Sequence, residues 1–405
     1  MSIKRFVTAD ATLSLLLHAL KAGLALLVNG LVLHGFSVSD FVVWSVSSSV
    51  LVVATASDLG IGQYVVTRLI HSPHAEWSGI VRGAFGALLP LALLSALFVC
   101  VAIDGPGWFY VASMAIFLAL RLLTIPFAAV LNATNQFKIR KAAEFVAYLA
   151  AAAAVAAIIE MGGSVYIALV ALNASFLMAA FATVFAAARH VPVWAAFRPA
   201  PLGQSLEVFR LAMPFMANNL SGLLTYGGFI WLSSLVLPSN QVAVLAVLHS
   251  FVLMNLYQVY DVFLKSRQAD LADLSRLPPY RHLNWAVMLA LPPAFVLLGR
   301  EALALVSRSI AIGRLEAGLF GLFMALELGN LFRQSVAQVD LVRAGRLKTY
   351  ALIRTTMLGG FMLVRFLALG GANSLNALLV VLSFGSLLSF LYLGGRRDEI
   401  SGKRS

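Results

Sequence analysis

Apolar segments of bilayer length recur along nearly all of this chain, and that recurrence limits its fold more than any other feature. A helix needs about 20 consecutive apolar residues to cross the hydrocarbon core. Residues 9–32, 39–57, 81–102, 108–131, 142–159 and 165–188 satisfy that length, or come close to it. So do 209–236, 241–262, 284–299, 315–337, 349–369 and 375–393. Turn-forming runs separate them: Asp104-Gly105-Pro106-Gly107, Met161-Gly162-Gly163-Ser164, Leu237-Pro238-Ser239-Asn240 and Gly370-Gly371-Ala372-Asn373. Within 284–299, Pro292-Pro293 is expected to kink the helix or shift its boundary.

Composition agrees. Hydrophobic residues make up 61% of the chain and charged residues 11%, too few charges to cover a water-soluble surface. The bilayer is the solvent. The apolar stretch Ala11–Leu33 behind Lys4 and Arg5 is too long for a cleavable signal and reads as a retained first membrane helix. The net charge of +12 does not indicate a nucleic-acid partner, because the basic residues fall between the apolar runs. The lone Cys100 rules out an intrachain disulfide.

Those basic residues set the orientation. With the N-terminus inside, the inner segments carry 21 Lys and Arg, among them Arg68, Arg82, Lys138, Arg140, Lys141, Arg343 and Arg346. The outer segments carry three, Arg300, Arg308 and Arg314. By the positive-inside rule both termini are expected in the cytoplasm of a bacterial inner (cytoplasmic) membrane.

The two sets of six spans align at an offset of about 203 residues, half the chain, which places Asp58 on Asp261, Ser47 on Ser250 and Arg140 on Arg343. The expectation is an all-α polytopic membrane protein of about 12 helices in two six-helix bundles, related by a pseudo-two-fold axis along the membrane normal. Residues 1–188 form the first lobe, 189–208 a cytoplasmic linker, 209–395 the second lobe and 396–405 a basic tail.

Ionisable groups at membrane depth are costly and usually face a cavity or a partner. Ser14, His18, Lys21 and Asn29 share a face of the first span, Lys21 about halfway across, and Arg121 lies at similar depth in the fourth. Asn218, Asn219, Thr225 and Tyr226 form a comparable stripe in the seventh. Glu327 with Arg333 lies in the tenth, and Arg354 with Arg365 in the eleventh. Lys21, Arg121, His18, Asn29, Asn218, Thr225, Tyr226, Glu327 and Arg365 are therefore the candidate lining of a cationic cavity for an anionic substrate such as a phosphate or pyrophosphate head group. Lys21 or Arg121 pairing with Glu327 is the structural alternative, and for Arg354 and Arg333 snorkelling to the interface is favoured. Asp58 and Asp261, near cytoplasmic helix ends, read as caps or inter-lobe contacts. His71 and His74 are a weak metal signal.

The chain has no G-x-x-x-x-G-K-[ST] loop and no H-E-x-x-H helix or Cys/His cluster. Its outer loops are short apart from 299–314, which leaves little room for an active site outside the membrane. No catalytic residues, cofactor or metal are expected, and coupling to H+ or Na+ stays open.

Asp40-Phe41-Val42-Val43-Trp44, a Ser-rich helix, Asp58-Leu59-Gly60-Ile61-Gly62 and Thr67-Arg68 resemble the opening of polysaccharide (O-antigen type) flippases of the MOP (multidrug/oligosaccharidyl-lipid/polysaccharide) exporter superfamily. Leu206–Met216 and Ala243-Val244-Leu245-Ala246 are similar to its second half. The resemblance implies two six-helix lobes and alternating access. It implies a cargo of undecaprenyl-pyrophosphate-linked oligosaccharide, flipped from the cytoplasmic to the periplasmic leaflet for surface polysaccharide. Membrane lipids and other glycan-assembly membrane proteins are the expected partners. The competing readings are a cation-coupled small-molecule or multidrug exporter of the same superfamily, a membrane enzyme of glycan assembly, and an assembly scaffold.

Overall fold

The computed structural model describes residues 9–55, 58–103, 105–134, 136–198, 200–222, 227–253, 256, 278–306, 311–343 and 374–395. Some side chains inside these ranges, among them those of His18, Asn218, Asn219 and Arg333, are not described. Among the described residues the regular structure is entirely helical. Among these residues seven helical spans are long and apolar enough to cross a membrane, and Ala19–Gly35 and Ser239–Leu253 are shorter apolar helices. The chain is a polytopic α-helical membrane protein. It divides into two compact units, Met1–Leu223 and Leu224–Ser405.

In the first unit, α1 (Ala9–Gly35), α2 (Val38–Thr55), α4 (Trp77–Ala102), α7 (Phe137–Glu160) and α8 (Val165–Ala187) follow the apolar runs at 9–32, 39–57, 81–102, 142–159 and 165–188 to within a few residues. The start of α2 is a capping box. The Asp40 backbone N–H donates to Ser37 Oγ at 3.1 Å, and the Ser37 N–H donates back to Asp40 Oδ2 at 3.2 Å. This explains why a carboxylate opens an otherwise apolar helix.

Residues 108–131 form two helices instead of one, α5 (Trp108–Leu123) and α6 (Ile125–Ala133). Pro126 lies in the first turn of α6 and has no N–H to continue the ladder, so the chain tightens at Thr124. The Thr124 N–H donates to Arg121 O at 3.1 Å and its hydroxyl to the same carbonyl at 2.7 Å. Arg121 is thereby left in the last turn of α5, where a cation suits the exposed carbonyl end of the helix.

Between α2 and α4 the chain forms the short amphipathic α3 (Ile61–His71). Asp58 caps its entry: Oδ1 accepts the Gly60 N–H and Oδ2 the Gly62 N–H, both at 3.2 Å. Leu59 (φ 50°) and Gly60 (φ 81°) both adopt the left-handed conformation that this turn needs. Ile61, Val65 and Leu69 of α3 bury against Trp77, Val81 and Leu88 of α4 and Phe127 and Val130 of α6.

Beyond α8 come α9 (Val193–Ala196) and α10 (Leu202–Gly222). The α10 helix begins inside the expected linker and packs on the glycine-bearing face of α4. The Gln204 side-chain amide donates to Gly79 O at 2.8 Å, and Ser205 sits close against Gly86. Its Val208 and Ala212 join the first unit's core.

The second unit holds α11 (Phe229–Ser234), α12 (Ser239–Leu248) continuing into a π-helical turn at His249–Leu253, α13 (Pro278–Val306), α14 (Arg314–Arg343) and α15 (Ser374–Gly395). The apolar run 209–236 is therefore shared between α10 and α11. The α13 helix is longer than the sequence suggested and continues through Pro292 and Pro293, neither of which bounds it. Membrane helices tolerate proline because neighbouring groups and local adjustments satisfy the freed carbonyls. The Phe229 ring stacks on His249 at 5.4 Å and on Phe323 of α14 at 5.5 Å. The span at 349–369, with Arg354 and Arg365, and Asp261 lie outside the described residues.

Candidate functional site

The first unit gathers four cations and one carboxylate around a pair of aromatic rings. Lys21 is 12 residues into the 27-residue α1, about 18 Å along its axis at 1.5 Å per residue. Arg121 is 12 residues, again about 18 Å, from the Ala133 end of the 26-residue Trp108–Ala133 span. The two cations thus stand the same number of residues from the ends that the sequence orientation expects on one side of the membrane. Glu144 is seven residues into α7 from its N-terminal end.

Glu144 organises the group. Its Oε2 accepts from Lys21 Nζ at 2.8 Å and Lys141 Nζ at 3.1 Å, and its Oε1 accepts from Arg140 Nε at 3.0 Å. Lys21 also faces the Tyr148 ring, 5.5 Å from Nζ to centroid. Tyr148 meets Phe176 of α8 edge-on at 4.8 Å, and the Arg121 guanidinium sits 5.0 Å over the Phe176 ring. Lys21 and Arg121 thus flank an aromatic pair, each attracted by a π face. No carboxylate among the described residues pairs with Arg121, whose guanidinium also has no hydrogen-bond acceptor there. It lies within electrostatic reach of Glu144 and Tyr148.

The remaining candidates divide. The structure brings Lys21 and Arg121 together, but Lys21's carboxylate partner is Glu144, where the sequence offered Glu327. Asn29 does not join this cluster: its Oδ1 accepts the Trp44 indole N–H at 3.0 Å and ties α1 to α2. The polar face read on the first span therefore serves two neighbouring helices. Glu327 is fully buried in the second unit, where it accepts the Ser386 hydroxyl, while Asn330 donates to Ser386 O at 2.9 Å. The side chains of His18, Asn218 and Asn219, and residues Thr225, Tyr226 and Arg365, lie outside the description. His74 packs against Trp77 with ring centroids 4.0 Å apart and the planes tilted by 32°, which engages one of the two histidines weighed as a metal signal.

Sequence reading missed Glu144, Tyr148 and Phe176. Glu144 was legible as the only carboxylate inside an apolar run of small residues, four positions after Arg140. The two aromatics carried no signal, since rings in membrane helices are common.

No protein-family model matches this sequence, and no curated protein matches it either. Solved structures do resemble it. An inward-facing multidrug resistance MATE family transporter of the MOP superfamily superposes with a TM-score of 0.65 at 12% identity, over 95% of this chain and 96% of that one. A eukaryotic MATE transporter gives 0.54 at 14% identity, over 95% and 93%. An outward-facing multidrug resistance MATE family transporter gives 0.53 at 12% identity, over 96% and 95%. The class follows: a helical membrane protein with the fold of MOP-superfamily transporters. Its structural neighbours within that superfamily are MATE transporters, and at these identities the likeness is one of fold.

Proposed function

We propose that this protein is a membrane carrier that works by alternating access on an anionic substrate, with a lipid-linked oligosaccharide as the cargo. The observation that carries this is the cationic cluster, in which Lys21, Arg140 and Lys141 share the Glu144 carboxylate and Arg121 has no carboxylate partner among the described residues. A charge near the bilayer centre costs about 2.5–3.5 kcal/mol on insertion scales. Such charges persist where they serve a wet path or a ligand. A pyrophosphate offers several acceptor oxygens to the bidentate Arg and point-charge Lys donors present here.

On this reading the pyrophosphate linkage of an undecaprenyl-linked oligosaccharide meets Lys21 and Arg121, and the carrier delivers the glycan from the cytoplasmic to the periplasmic leaflet of a bacterial inner membrane. Substrate chemistry stays with the cargo, and the chain itself catalyses no reaction. The second reading, a small-molecule exporter, draws support from neighbours that are multidrug resistance transporters. Against a cationic drug stands the sign of the cluster, which repels positive charge.

A strain lacking the protein is expected to accumulate lipid-linked repeat units on the cytoplasmic face, and the parent chain restores surface glycan. Lys21→Ala and Arg121→Ala chains insert normally and fail to restore it. Normal surface glycan with altered drug tolerance in the deletion strain selects the exporter instead.

A further inference from the structure

Glu144 accepts from three cations, and the three differ in how they are held. Arg140 and Lys141 precede it by four and three residues on the same helix, so they remain beside it whatever happens elsewhere. Lys21 comes from α1, 123 positions away in sequence, and is the long-range member of the set. A bridge evolved only to fasten α1 to α7 would need one cation for one carboxylate. Here positive charge is in excess, and the excess is held by rings: Tyr148 faces Lys21 and Phe176 faces Arg121. A π face attracts a cation without using its N–H donors.

The arginine donors remain open. Among the described residues, Arg140 uses only Nε and leaves its terminal nitrogens without an acceptor, and the Arg121 guanidinium has none at all. The side chains are not sealed off, with 19% of Lys21, 17% of Glu144 and 35% of Arg140 exposed. A carboxylate and a phosphate present the same edge of two anionic oxygens to Lys and Arg.

We propose that Glu144 is a built-in counter-anion: in the empty protein it occupies the position that a ligand's phosphate oxygens take, and the incoming phosphate or pyrophosphate group displaces it from Lys21. This rests on the anion-carrier reading above. Glu144 keeps the unloaded cluster partly neutralised inside the bilayer. It also lowers anion affinity by competing for the same donors, which lets a carrier release its cargo. Displacement breaks the bond between α1 and α7 while ligand is bound, so occupancy and the contact between these two helices are linked.

The test is calorimetric titration of the full-length chain in phosphatidylcholine nanodiscs, with inorganic pyrophosphate and, separately, farnesyl pyrophosphate. Glu144→Gln should bind the anion at least about tenfold more tightly than the parent. Lys21→Gln added to that variant should abolish the gain. Glu144→Asp, which withdraws the carboxylate by one methylene and keeps its charge, should fall between the two and covers the case that the Gln variant does not fold. Tightening for both probes points to a free phosphate compound, and tightening for farnesyl pyrophosphate alone points to a lipid-linked one. Parent-like or weaker binding in Glu144→Gln and Glu144→Asp overturns the counter-anion role. If the parent binds pyrophosphate, and loses it on Arg121→Met, that failure leaves the anion-carrier reading standing. If neither parent nor variants bind either probe at about 1 mM, both fall together.

Discussion

Replacing Arg121 with Met separates a charge kept for function from one kept for structure. A buried cation at mid-depth costs about 2.5–3.5 kcal/mol on insertion scales. The contact with Phe176, 5.0 Å from guanidinium to ring centroid, returns about 0.5–2 kcal/mol. Its place in the last turn of α5 returns about 0.3–1 kcal/mol. No ion pair adds to that among the described residues. The balance leaves Arg121 destabilising by roughly 1 kcal/mol, while Met is a shorter, uncharged and flexible side chain whose thioether suits an aromatic neighbour. Arg121→Met should therefore unfold later than the parent in a thermal melt of purified, detergent-solubilised protein, and should fail to restore transport in the deletion strain. This is the trade of stability against activity expected of a functional site. A variant that melts earlier and transports normally would refute the reasoning, because it would make Arg121 a structural group whose stabilising partner has been misjudged.

Three further outcomes follow from the geometry. Asp58→Ala removes the acceptor for the Gly60 and Gly62 N–H groups and should cost about 1 kcal/mol, read by thermal melting, whereas Leu59→Gly relieves a left-handed backbone and should gain up to about 1 kcal/mol. Asn29→Leu leaves the Trp44 indole N–H without its acceptor and should lose about 0.5–1.5 kcal/mol; adding Trp44→Phe should recover part of that loss, and a strictly additive double variant would rule out the coupling. Reporter fusions after residue 138 should report a cytoplasmic location, and a periplasmic signal there would invert the orientation.

How far the sequence reached can be seen helix by helix. Where a span is bounded by turn residues and filled by apolar ones, as in α2, α4, α7 and α8, its ends were legible to a few residues. Where a local device interrupts the pattern, they were not. Pro126 divides α5 from α6, and the run 209–236 is shared by two helices. Pro292 and Pro293, which look like breakers, lie inside one helix because the bilayer makes helical hydrogen bonding nearly obligatory.

Hydropathy is a property of short stretches, so the chain by itself determined the solvent and the run of apolar helices in the first unit. Which groups Lys21 and Arg121 meet depends on residues far apart in sequence coming together through helix packing. Only the tertiary structure could give Lys21 to Glu144, Asn29 to Trp44 and Arg121 to the face of Phe176. One polar stripe on α1 was thus divided between two neighbours, since α7 brings Glu144 to Lys21 and α2 brings Trp44 to Asn29, about two turns further along.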